Sequence, residues 1–87
     1  MARPELVSAL TSDKGVELDW EEVSEADGYT VYRNDGGKWV ALADLSDTQY
    51  IDTDTKQGRY TVFSYRLDGN DKIYGNYDYQ GIEAGVK

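Results

Sequence analysis

The sequence contains no cysteine and no histidine. Without cysteine, no disulfide can brace the fold and no thiol nucleophile is available. Without histidine, a Ser-His-Asp triad and a Cys/His zinc site are both excluded. Basic residues are few: nine Lys and Arg face seventeen Asp and Glu, for a net charge of −8. The cations are scattered singly, so a phosphate backbone would be repelled and nucleic-acid binding is not expected. An anionic membrane surface is disfavoured for the same reason. No apolar run approaches the ~20 residues of a membrane helix, so no membrane insertion is expected. Met1-Ala2-Arg3-Pro4 leads straight into a strand pattern, and no signal peptide is expected in this chain.

What remains is rich in aromatics. Eight Tyr, two Trp and one Phe lie among 87 residues, a length that fits one domain, 1–87. Helical periodicity is weak. Short runs of Val, Tyr and Thr recur between Gly, Asp and Asn, which predicts an all-β sandwich or barrel. Leu6 to Leu10 reads as a first strand. Val16-Glu17-Leu18-Asp19-Trp20 alternates strictly and should turn Val16, Leu18 and Trp20 inward. Tyr29 to Arg33, Trp39 to Leu45, Gln49 to Asp52 and Tyr60 to Leu67 follow, then an irregular last strand through Tyr74, Tyr77 and Ile82. Asn34-Asp35-Gly36-Gly37 and Asp68-Gly69-Asn70-Asp71 are hairpin turns. The expected total is about seven strands, as an immunoglobulin-like sandwich requires.

Several of these stretches, in this order, resemble bacterial fibronectin type III domains. They are Val16-x-Leu18-x-Trp20, then Ala26-Asp27-Gly28-Tyr29-x-Val31-Tyr32-Arg33, then Tyr50-x-Asp52-Thr53 before Gly58-x-Tyr60-Thr61-Val62, and a closing Tyr77-Asp78-x-x-Gly81-Ile82. The resemblance implies a seven-stranded antiparallel sandwich of fibronectin type III topology. Its core would be Trp20, Tyr29, Val31, Tyr60 and Val62, and the Tyr60 hydroxyl would bond backbone a few residues upstream as a tyrosine corner. It also implies a role: a non-catalytic spacer or accessory module of a multidomain bacterial protein, secreted or at the cell surface, such as a polysaccharide-degrading enzyme. The partners would be neighbouring domains of the parent protein. The Arg-Gly-Asp tripeptide of some animal members is absent at Asp68–Asp71, so an integrin-type role has no support.

If Tyr60 and Val62 face inward, Ser64 and Arg66 do too, and Phe63 and Tyr65 face out. A bulge after Val62 would reverse that; the unbulged pattern keeps Tyr60 and Val62 together in the core. Tyr32 faces out when Tyr29 and Val31 face in. Tyr32, Phe63 and Tyr65 would then form an exposed aromatic patch, extended by Trp39 or Tyr74. This is the candidate interaction face, for a protein or a glycan, set against a purely structural role as cross-strand pairs. An engineered binding scaffold is a further alternative.

No catalytic residue, cofactor or metal site is expected. Carboxylate pairs such as Asp52/Asp54 or Glu21/Glu22 lack the cleft that glycoside hydrolysis requires. The Asp68–Asp71 and Asp52–Asp54 stretches supply oxygens, but the full calcium-loop motif is missing. Gly36-Gly37-Lys38 lacks the first glycine and the following helix of a phosphate loop. The acidic run Asp19, Glu21, Glu22, Glu25 and Asp27 reads as a solvated rim.

Overall fold

A computed structural model of the chain describes residues 4, 6–77 and 80–86, so the Met1–Arg3 lead and the Asp78 position of the closing motif lie outside the described residues. Two sheets face each other. The first has the order β5-β2-β1-β9, formed by β1 (Leu6–Ser12), β2 (Gly15–Trp20), β5 (Gln49–Asp52) and β9 (Gly85–Val86). The second has the order β4-β3-β6-β7, with β8 also paired to β6. It is formed by β3 (Gly28–Asp35), β4 (Lys38–Leu45), β6 (Arg59–Asp68), β7 (Asp71–Tyr74) and β8 (Ile82–Glu83). All pairs are antiparallel except β1 with β9, which is parallel.

Alternation decides what fills the space between the sheets. Val16, Leu18 and Trp20 of β2 face Tyr29 and Val31 of β3 and Tyr60 and Val62 of β6, and each is at most 3% exposed. Trp20 meets Tyr29 edge to face, with ring centroids 5.7 Å apart. The Tyr29 hydroxyl accepts from Val23 N at 2.8 Å, which ties the loop before β3 to the core. The β3–β6 register runs without a shift from Gly28↔Tyr65 to Arg33↔Tyr60, so no bulge follows Val62. The irregularity lies instead between β3 and β4, at Val31/Tyr32.

The hairpin between β3 and β4 turns on Gly36 and Gly37. Both have positive φ (62° and 89°), the backbone that a two-residue turn of primed type demands. Asn34 Oδ1 accepts from Gly37 N and closes it.

The last strand departs from the expected single element and is divided into β7, β8 and β9. β7 follows β6 only as far as Tyr74, and Gly75 N adds one more bond to Ser64 O at 2.9 Å. The chain then leaves the sheet edge. It returns at Ile82, opposite Tyr60, and Ala84 N bonds Gly58 O at 2.8 Å. Beyond Ala84 it crosses to the other sheet, where Gly85 and Val86 pair with Leu10 and Thr11. The reason lies on the outer face of the second sheet, where Tyr77 of the connecting segment stacks on Phe63.

Candidate functional site

Tyr32, Phe63, Tyr65 and Tyr74 come together on the outer face of the β4-β3-β6-β7 sheet. Phe63 is the hub: its ring centroid lies 4.7 Å from Tyr32, 5.6 Å from Tyr74 and 4.0 Å from Tyr77. Tyr65 meets Tyr74 at 5.9 Å and also lies over Gly28, its cross-strand partner, where a Cβ would come within 2.4 Å of the Tyr65 hydroxyl. Trp39 stands apart from this group. It packs on Gly81, where a Cβ would sit 2.7 Å from the indole ring, beside the Arg59 side chain. Arg59 in turn donates to Gln80 O at 2.9 Å and to Glu83 Oε1 at 3.0 Å.

The patch is therefore not the open apolar surface that strand alternation predicts. Tyr32, Trp39, Phe63 and Tyr65 are half-buried, and of the five candidate residues only Tyr74, at 42% exposure, is open to solvent. Thr30 and Thr61, on the same outward parity, are 2% and 1% exposed. Tyr77, after β7, covers Phe63, so the face behaves as a second, smaller core. Its rings meet at 54°, 85° and 69°, and only Tyr77 lies nearly parallel to Phe63. No flat platform of coplanar exposed rings results among the described residues.

A polar chain crosses the upper part of this face. Thr30 Oγ1 donates to Asp44 Oδ1 at 2.5 Å, and Lys72 Nζ pairs with Asp44 Oδ2 while lying 4.9 Å from the centre of the Tyr65 ring. The hydrogen bonds from Lys72 and Thr30 hold the Asp44 carboxyl below the usual carboxylate range. Burial, then the neighbouring Tyr74 and Asp44, push the Tyr32 hydroxyl up.

A second polar cluster is buried on the inner face of the same sheet, and the sequence reading did not find it. Asp52 is 2% exposed. Its Oδ2 accepts from the Tyr60 hydroxyl at 2.7 Å and from Arg33 Nη1 at 2.7 Å, and its Oδ1 accepts from Asp54 N at 3.2 Å. Tyr60 thus bonds a carboxylate rather than the backbone group of a tyrosine corner. Its single proton is taken by the stronger, charged acceptor eight residues upstream. Both Asp52 oxygens are thus engaged within the chain, one by the Arg33 guanidinium and the Tyr60 hydroxyl and the other by Asp54 N. Among the described residues no group of three or more carboxylates is placed to hold a metal ion.

This cluster fixes a pH dependence. Burial pushes the Asp52 carboxyl up, but hydrogen bonds from Tyr60, Arg33 and Asp54 N outweigh it and hold the group below its ordinary range. Burial and the Asp52 carboxylate push the Tyr60 hydroxyl well above its ordinary value. The Asp52 contribution to stability is present above about pH 4, where an unfolded Asp titrates, and disappears as pH falls through the lower folded value. The Tyr60 contribution is present below about pH 10 and disappears as pH rises through the higher folded value. Urea midpoints measured against pH should fall at both extremes. The Asp52→Asn variant should lose a smaller part of its stability on acidification than the wild type, and equal acid slopes would refute the assignment.

No protein-family model matches this chain, and no curated protein matches it. Among solved structures it is similar to the crystal structure of FN3tt, a fibronectin type III-derived domain, with a TM-score of 0.57 and 18% identity over 97% of this chain and 92% of that one. Two facing sheets, a Trp20-centred core and this likeness together give the chain a fibronectin type III-like β-sandwich fold.

Proposed function

We propose that this chain is a non-catalytic spacer or accessory module that sets the separation of its neighbours in a multidomain bacterial protein, secreted or displayed at the cell surface. A polysaccharide-degrading enzyme is the kind of parent it suits. In this reading the final strand of a seven-stranded fibronectin type III topology is present but interrupted.

The observation that carries the reading is the path of the backbone. The chain enters β1 at Leu6, beside Trp20, and leaves β9 at Val86, beside Thr11 at the other end of β1. Entry and exit thus lie at opposite ends of β1, about 17 Å apart along the strand, in a body measuring 38 × 24 × 19 Å. The ten-residue β6 spans about 30 Å, so the long dimension follows the strands. Domains attached before β1 and after β9 are held apart along that axis. The space between the sheets is filled by side chains.

Two copies fused head to tail without added linker should scatter X-rays as an elongated particle, clearly longer than the 38 Å of one copy. A folded-back particle of globular shape would count against the spacer role. The outer aromatic face supplies the competing reading, because Tyr74 is exposed beside Lys72 and Asp44, a mixture of ring and polar groups that suits a glycan or a protein. Titration with plant and bacterial wall polysaccharides, followed by tyrosine and tryptophan fluorescence, is expected to give no response. A saturable response abolished by Tyr74→Ala would replace the spacer reading with a binding one.

A further inference from the structure

The terminal strands of the two sheets are not equally protected. β5 and β7 have four residues each and β9 has two, but β4 runs for eight, Lys38–Leu45, at the end of its sheet. Its backbone groups on the side away from β3 meet no other strand among the described residues. A row of alternating donors and acceptors is complemented by one kind of partner, another extended backbone. The centre of the strand, Trp39-Val40-Ala41-Leu42-Ala43, carries no charge and no proline, and Val40 is 43% exposed. Such a segment on an open edge is a pairing template.

We propose that β4 pairs with β4 of a second copy of this chain, antiparallel, joining two sandwiches through one continuous sheet. Charge selects the occupant and its direction. The strand is basic at one end, at Lys38, and acidic at the other, where Asp47 lies just beyond Asp44, whose own charge is shared with Lys72. Antiparallel self-pairing lays the Lys38 end of each copy beside the acidic end of the other, and the uncharged centres meet. Parallel pairing would place like charges together, which is destabilising across strands. The net charge of −8 on each copy opposes the approach, so the association is weak and depends on screening. This separates it from capture of a basic peptide, which salt would weaken.

Sedimentation velocity of the full chain over a wide concentration range tests the proposal. The expected result is a monomer–dimer equilibrium that tightens about tenfold or more as salt rises from about 0.01 M to about 1 M, which shortens the screening length from about 30 Å to about 3 Å. Hydrogen exchange should show protection of the amides of residues 40–43 that grows with protein concentration. The Val40→Lys variant should remain monomeric with an unchanged unfolding midpoint, although its added positive charge reduces the repulsion between copies. A monomer at every concentration and salt would overturn the proposal, and so would a dimer that survives Val40→Lys or protects another segment. A lysine-rich strand peptide that protects residues 40–43 in a chain that stays monomeric by itself would overturn it as well.

Discussion

Replacing Asp52 by alanine is expected to lower the free energy of unfolding by about 3–5 kcal/mol, the range for breaking a buried ion pair from one side. The change leaves the Tyr60 hydroxyl, on a residue with no exposure, and the Arg33 guanidinium, with its side chain 21% exposed, without their shared acceptor. Arg33 can turn partly to water and Tyr60 cannot, so the tyrosine carries the larger share of the penalty. Asp52→Asn keeps an acceptor and loses only the charge, and should cost about 1.5–3 kcal/mol. For a chain of this length the whole stability is about 4–13 kcal/mol, so the alanine variant loses between about a quarter of it and all of it. The comparison that isolates the cause is Arg33→Met with Asp52→Leu and Tyr60→Phe together. Removing all three side chains leaves only Asp54 N, on an exposed residue, without its acceptor, and this triple variant should recover much of the loss in urea unfolding. A triple variant no more stable than Asp52→Ala would mean that shape, and not the unpaired groups, sets the penalty.

The second large effect is at Trp20. Truncation to alanine should cost about 3–5 kcal/mol, because the ring is 2% exposed and the sheets on either side cannot close over the space it leaves. The indole Nε1 is buried and has no hydrogen-bond partner among the described residues. An unpaired buried donor carries a penalty of about 1–3 kcal/mol in the native protein. Trp20→Phe removes that penalty as it removes volume, so it should cost much less than the loss of ring area suggests, and less than half of Trp20→Ala. Chemical denaturation of the two variants side by side gives the ratio. Equal losses would show that filling the centre of the sandwich requires the whole indole.

Much of the fold was legible because period-two alternation leaves little freedom. In Val16-Glu17-Leu18-Asp19-Trp20, a one-residue slip would send three apolar side chains to water and two carboxylates into the core. The same argument placed Tyr29, Val31, Tyr60 and Val62 on inward parity, and the Gly, Asn and Asp clusters at 34–37 and 68–71 marked where strands must reverse. The Arg33–Asp52 pair could have been found by the same count. Arg33 continues the inward series of Tyr29 and Val31, and an inward cation requires an inward anion. What could not be read was which carboxylate answers it. Asp52 belongs to β5, in the opposite sheet, nineteen residues along the chain.

The outer face shows a different limit. Alternation correctly sends Tyr32, Phe63 and Tyr65 to one side of the sheet, but it says nothing of what lies above them. The run from Gly75 to Gly81 carries no strand pattern strong enough to stay at the sheet edge. Whether it hangs free or folds back is decided by contacts far along the chain, Tyr77 on Phe63 and Gly81 under Trp39.

By itself the sequence determined the two-layer β architecture, the inward residues and the absence of thiol or imidazole chemistry, since each follows from residue identity and nearest-neighbour spacing. Only the tertiary structure decided that the last strand splits and changes sheets, that an aromatic patch becomes a second core, and that Tyr60 bonds Asp52. Those outcomes are settled by closing long loops of chain, where the gain comes from partners that no local pattern names.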